Sequence, residues 1–139
     1  MMRIAVSAAG RLREPYWKAA CDEYCKRLGA FCKLSVAEVG DGEVPKVPEG
    51  FYPVALCSEG EEFTSEQLAD AFRRWQNGVA SRVCFLIGGS DGLPERVKRD
   101  AGLRLSLSRL TWPHHMVRAM LLEQIYRSFS ILSGGKYHK

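Results

Sequence analysis

The sequence predicts an α/β domain in which a mostly parallel β-sheet is flanked by helices. Apolar runs of seven or eight residues alternate with amphipathic stretches of 3.6-residue period, the pattern of βα units. Two of these runs end in glycine turns that open into helical segments, as parallel strands feeding crossovers do. With 139 residues and a hydrophobic fraction of 46%, the chain can bury one core, so residues 1–139 are read as a single domain.

The elements follow in order. MRIAVSA (2–8) is a buried strand ended by Gly10. Its early Arg3 and apolar run resemble the first half of a signal peptide, but Gly10, Arg11, Arg13 and Glu14 break that pattern. EPYWKAACDEYCKRLG is a helix with Pro15 at its start and Gly29 just past its end, and Trp17, Ala20, Cys21, Tyr24 and Leu28 share one face. CKLSVAEV (32–39) is a second strand, and GDGEVPKVPEG after it is a connection without periodicity. YPVALCS (52–58) is the third strand. TSEQLADAFRRWQNG opens on a capping box, Thr64 with Gln67, and stripes Leu68, Phe72 and Trp75 along one side. VCFLIGG (83–89) is the most apolar strand and runs into a glycine loop and a short helix behind Pro94. LRLSLS alternates leucines as a half-exposed strand or extended loop does. The last helix starts near Pro113, turns Val117, Met120, Leu121, Ile125, Phe129 and Leu132 inward, and stops before Gly134-Gly135.

Composition excludes several classes. No apolar run is long enough to cross a bilayer, and the expected compartment is the cytoplasm. Cys21, Cys25, Cys32, Cys57 and Cys84 are odd in number and sit in apolar contexts, which argues for reduced thiols over a disulfide framework. Cys21 and Cys25 lie one helical turn apart, but no second pair with zinc-type spacing follows, so no metal is expected. The net charge of +4 is concentrated at the two ends, and if these meet in space they form one positive face.

In parallel sheets ligands bind beyond the carboxyl ends of strands. That rule gathers the Ser58-Glu59-Gly60 turn, the Gly88-Gly89 turn and the segment after Leu107 on one rim. Gly88-Gly89-Ser90-Asp91-Gly92 allows a ligand close to backbone amides, and a structural turn uses the same glycines. It carries neither GxGxxG nor the GK[ST] ending of a P-loop. In Leu107 to Trp112, apolar Leu107, Leu110 and Trp112 interleave with Ser108, Arg109 and Thr111. This composition suits a flat heterocycle, while the hydroxyls equally suit helix capping. Glu123 and Arg127 are spaced for an ion pair on the last helix, and Tyr126 with the Lys136 to Lys139 tail adds an aromatic, basic cluster suited to phosphate contacts and base stacking.

VCFLIGGSDGL, LSLSRLTWPHHMVRAMLLEQIYRSFSI and the terminal YHK, with the opening AVSAAGRLREPYWKAACDEYCKRLG, resemble the RlmH family of SPOUT methyltransferases over nearly the whole chain. The resemblance implies a SPOUT-type sheet whose C-terminal helix is drawn through a preceding loop into a deep trefoil knot. It implies a homodimer that uses S-adenosylmethionine to methylate N3 of a pseudouridine in helix 69 of the large-subunit (23S) ribosomal RNA. The cofactor positions fall on Leu56, Gly88, Leu107, Ser108, Arg109, Leu110, Thr111 and Trp112, and the functional C-terminal positions on Glu123, Arg127, Tyr137 and His138. Methylation of another RNA, or a ribosome-binding module without activity, are the alternatives the resemblance leaves. The chain departs from the family in one place: GDGEVPKVPEG stands where an additional helical segment is expected.

His114 and His115 are read as the first turn of the last helix rather than as metal ligands, because adjacent helical residues project in different directions. His114 matches the family's PH motif and is expected to shape the pocket, with no special role for His115.

Overall fold

The computed structural model describes residues 1–78 and 80–139. Its elements run β1 (Arg3–Ala9), α1 (Pro15–Leu28), β2 (Lys33–Val39), β3 (Tyr52–Glu62), α2 (Ser65–Asn77), β4 (Arg82–Ile87), α3 (Glu95–Asp100), β5 (Leu103–Ser106) and α4 (His114–Leu132). The strands form one sheet in the order β2-β1-β4-β3-β5, and every pairing is parallel. The central strands β1 and β4 are buried along almost their whole length, which is why they read as unbroken apolar runs.

Alternation along each strand sends side chains to two cores of unequal size. Ile4, Val6, Val54, Val83, Phe85 and Leu105 meet the helices on one face. There α4 packs against both α1 and α2, burying Cys21, Leu28, Leu68, Phe72, Leu121, Ile125 and Phe129. The other face is sparser: Ala5, Ala55, Cys84 and Leu86 pack with Leu93, Phe51, Val97 and Ala101. The capping box of α2 forms as its sequence predicts, with Thr64 Oγ1 accepting from the Gln67 amide and Gln67 Oε1 from the Thr64 amide.

Two elements differ from their sequence reading, and the connection after β2 agrees with it. The expected inward stripe of α4 is too narrow: Arg118, Ala119, Leu122, Ser128 and Ser130 are buried as well, while Val117, Met120 and Leu132 are half-buried. The helix is enclosed by two other helices and the sheet, so a single-stripe pattern underestimates its contacts. Strand β3 runs on to Glu62, because its register against β5 jumps between Leu56 and Glu61 and lets residues 57–60 bulge from the ladder. Gly60 is needed there, since a Cβ would stand 2.8 Å from the Arg104 carbonyl. Residues 40–51 contain no helix; they form turns and irregular backbone in which Pro45 is buried.

The five cysteines are free thiols. Burial raises Cys21 and Cys32 to about 11, so both remain protonated and inert at neutral pH.

Arg118 is the unusual member of the core. Its side chain is 3% exposed, and it donates to Glu38 Oε2 at 2.5 Å and to the Gly10 carbonyl at 2.9 Å. Glu38 also accepts from the Leu12 amide at 3.3 Å. Burial works against the Glu38 carboxylate, but the hydrogen bonds from Arg118 and Leu12 outweigh it and hold the carboxyl below its usual range. Arg118→Ala is expected to destabilise the fold by about 3 kcal/mol in urea unfolding, because Glu38 is left without its partner. Replacing both, as Arg118→Met with Glu38→Leu, should recover most of that loss.

Candidate cofactor cleft and tail cluster

Three backbone segments converge beyond the carboxyl ends of β3, β4 and β5. Leu56, Cys57 and Ser58 come from the bulge, Ile87 to Ser90 and Gly92 from the glycine loop, and Leu107, Ser108 and Leu110 to Trp112 from the segment before α4. They enclose a cleft of about 230 Å³, closed on one side by His114 and Val117. Local constraints explain its shape. A Cβ at Gly88 would collide with the backbone of Gly92 and Leu93, and Gly92 itself has φ of 75°. Ser108 Oγ accepts from the Leu110 amide at 3.0 Å, turning the last segment back on itself.

Of the eight positions read as cofactor-binding, Leu56, Gly88, Leu107, Ser108, Leu110, Thr111 and Trp112 line this one cleft. Arg109 does not. Its side chain is exposed, and Nε donates to Glu62 at 2.5 Å in an ion pair. Leu110 and Trp112 are 68% and 37% exposed, leaving apolar surface at the mouth.

Sequence reasoning passed over two contributors. Val117, assigned to the core, lies one helical turn after His114 and faces the cleft, a placement its i, i+3 spacing could have revealed. Asp41, in the segment dismissed as a connection, accepts from the amide and hydroxyl of Ser90, both at 3.3 Å, and so braces the glycine loop. Nothing in its local pattern marks it.

The four C-terminal positions form one hydrogen-bonded cluster. Arg127 Nη2 donates to Glu123 Oε2 at 2.8 Å, and Tyr137 donates to the same oxygen at 2.8 Å. The Arg127 guanidinium lies 4.7 Å from the Tyr137 ring centre and contacts His138 Nδ1 at 3.0 Å. A guanidinium only donates, so Nδ1 accepts and the imidazole proton sits on Nε2, where it is donated to Glu66 at 2.8 Å. Tyr24 joins through a 3.2 Å contact between hydroxyls. Burial, together with the Tyr24 and Glu123 hydrogen bonds, raises Tyr137, so its phenol stays protonated. The ion pair expected on the last helix is therefore present, half-buried and extended by the tail.

A second cavity of about 410 Å³ shares Leu107 with the cleft and is also lined by Tyr24, Met120 and Glu123. Ser106 Oγ is buried beside it without a hydrogen-bond partner among the described residues. Among the described residues no group of three or more His, Cys, Asp or Glu side chains is placed to hold a metal ion.

A family model described as a predicted SPOUT methyltransferase matches residues 2–138. The chain is thus a domain of the SPOUT methyltransferase class. A probable methylase family protein from Haemophilus influenzae Rd KW20 superposes on 99% of this chain and 70% of its own with a TM-score of 0.59 at 9% sequence identity, a likeness of fold. Ribosomal RNA large subunit methyltransferase H from Bifidobacterium animalis subsp. lactis (strain AD011) is 40% identical over 99% of this chain and 100% of its own length. The proteins of that name from Clostridium botulinum (strain Kyoto / Type A2) and Bacillus pumilus (strain SAFR-032) are each 37% identical with the same coverage. The chain belongs to this RlmH family. The alignments run over 159 positions against 139 residues here, a difference of 20 that accords with a segment missing from this chain.

His114 supplies a pH-dependent property of the cleft wall. Burial lowers its pKa below 6.5, with His115 and Arg118 adding to the effect against Asp41 and Glu14. Below pH 6.5 the unfolded chain therefore binds a proton that the folded chain refuses, and stability falls with pH until the folded value is passed. Urea unfolding should show this loss in the parent protein and a weaker one in His114→Asn; equal slopes would assign the effect to other groups.

Proposed function

We propose that this chain, as a homodimer, methylates N3 of a pseudouridine in helix 69 of the large-subunit ribosomal RNA in the cytoplasm, with α4 drawn through the preceding loops as a deep trefoil knot. The class of activity follows from the family: the chain is an S-adenosylmethionine-dependent methyltransferase of large-subunit ribosomal RNA. The observation that carries the reading is the convergence of seven cofactor positions, from segments far apart in sequence, in one cleft.

The lining suits that cofactor. Leu56, Ile87, Leu110, Trp112 and Val117 offer apolar walls to an adenine and a methionine chain, while Ser58, Ser90, Ser108 and Thr111 offer hydroxyls. A Cβ on Gly92 would meet nothing within 4 Å, so the loop leaves room on that side. When bound, S-adenosylmethionine supplies an electrophilic methyl group on a sulfonium centre. The residues of the chain hold the nucleophile in line and favour the imide anion of the target base.

In the tail cluster, Tyr137 is a protonated donor and Arg127 a fixed cation, both suited to orienting a nucleotide and stabilising negative charge at N3. His138 has its Nδ1 lone pair engaged by Arg127, so it acts as a base only once that contact opens. Val117 and Arg127 are ten residues apart on α4, about 15 Å along its axis, whereas reacting atoms must approach to about 3 Å. In the homodimer proposed here, the tail of one subunit serves the cofactor cleft of its partner.

Mass spectrometric mapping of ribosomal RNA from a deletion strain tests the target: loss of the N3-methyl group on a helix 69 pseudouridine is expected, and loss of a different methyl group moves the activity to another RNA site. His138→Ala should retain S-adenosylmethionine affinity and lose turnover. Mixing His138→Ala with Gly88→Val, each inactive alone, tests the shared site. Random exchange of subunits should restore about a quarter of parental activity, and no recovery in verified mixed dimers places the whole site in one subunit.

A further inference from the structure

The turn between β1 and α1 carries a second surface next to the cofactor cleft. Gly10, Arg11, Arg13, Glu14, Asp41, Pro113, His114 and His115 line a cavity of about 290 Å³, and His114 belongs to both cavities. Its acidic members have partners other than the arginines. Glu14 lies 2.8 Å from His115 Nδ1, and Asp41 accepts from Ser90. Arg11 and Arg13 are exposed and form no ion pair among the described residues. Arg27, Arg109 and Arg127 each have a carboxylate partner, while Arg3 and Arg82, which have none among the described residues, stand at the amino ends of β1 and β4, away from this rim. Tyr16, a few residues on, is 65% exposed and leans edge-to-face on Trp17 with ring centres 5.2 Å apart.

This surface is rigidly mounted. Gly10 takes φ of 91°, and its carbonyl is held by the buried Arg118, while the Leu12 amide is held by Glu38. The backbone on both sides of Arg11 is thus pinned from beneath, and the two arginines are presented one residue apart on a fixed turn. Two unpaired guanidiniums beside an exposed aromatic ring, bordering a methyl-transfer cleft, form the combination that holds single-stranded RNA: charge for phosphates and a ring face for a base.

We infer that Arg11, Arg13 and Tyr16 form a docking rim for the RNA strand adjoining the target nucleotide, with the arginines on phosphates and Tyr16 against an unstacked base. The inference rests on the RNA-methyltransferase reading and assigns these residues to substrate positioning, separate from the cofactor lining.

The test measures steady-state methylation of large ribosomal subunits, or whole ribosomes, across a salt series. Arg11→Ala with Arg13→Ala should raise KM for the ribosomal substrate roughly tenfold, leaving S-adenosylmethionine affinity and thermal unfolding as in the parent. The slope of log KM against log salt should fall by about 1.4, the amount expected for two phosphates of a single strand. Arg11→Lys with Arg13→Lys should restore most of that slope. Benzoylphenylalanine in place of Tyr16 should cross-link to ribosomal RNA on illumination. An unchanged KM and salt slope in the double alanine variant, or cross-links to ribosomal protein alone, would overturn the inference. Absence of methylation by the parent protein would instead overturn the functional reading on which it rests.

Discussion

The arrangement of the site depends on one buried guanidinium. Arg118 stands on the first turns of α4, yet its hydrogen bonds end on Glu38 of β2 and on the Gly10 carbonyl after β1. Three segments that are distant in sequence are thereby fixed at one point, at the carboxyl end of the sheet. A hydrophobic contact at that place would hold them together without defining their angle; a planar donor with two acceptors defines both. Its Nε is buried without a partner among the described residues, so the clamp carries an unrecovered desolvation cost. Direction, more than net stability, is what this pair contributes. The consequence is local: His114 and Val117, on the same turns of α4, become a fixed wall of the cleft, and Arg11 and Arg13 are displayed on its other flank.

The charge pattern gains meaning from these contacts. The basic ends of the chain do meet, since α1 packs on α4 and Tyr24 touches Tyr137. Part of their charge is neutralised where they meet. Around the tail, Arg27 is paired with Glu23 and Arg127 with Glu123, and the neutral His138 donates to Glu66. Arg11 and Arg13, on the turn before α1, form no ion pair among the described residues, and neither do Lys26 in the last turn of α1 or Lys136 and Lys139 of the tail. The i, i+4 spacing marks the local pairs in the sequence, whereas a pair such as that between residues 62 and 109 depends on the fold.

What was legible in the sequence was whatever repeats locally. The period of α1, the capping box at Thr64 and the unbroken apolar run of β4 each encode their element within a few residues, and the rule for parallel sheets then locates the cleft. The strand-end segments of the cleft could be named for that reason. Arg109 could not be set apart from its neighbours, because side-chain direction in an irregular loop is decided by partners, here Glu62 from β3. Nor could Asp41 be found: its role comes from lying over Ser90, 49 residues later in the chain. The breadth of burial on α4 was underestimated because enclosure on several sides leaves no clean apolar stripe to read.

The shortened connection follows the same logic, now through geometry. To pass from the end of β2 to the start of β3, the chain must cross three strand spacings, about 14 Å, and return along a strand of about 23 Å, a diagonal of about 27 Å. Residues 40–51 wound as an α-helix would span about 18 Å and fail to reach; in extended form they span about 40 Å. Without the longer segment the crossover cannot be helical, and a thin strap must cover what a helix would otherwise cover. The sheet is adapted to it. Ala5, Ser7, Ala9 and Ala55 are small and buried on the face away from α1, α2 and α4, so the strap, with Pro45 buried and Phe51 packed, can approach the strands closely. Because that path begins beside the glycine loop, the strap also delivers Asp41 to Ser90. The short connection therefore stays non-helical and still braces the loop that shapes the cleft.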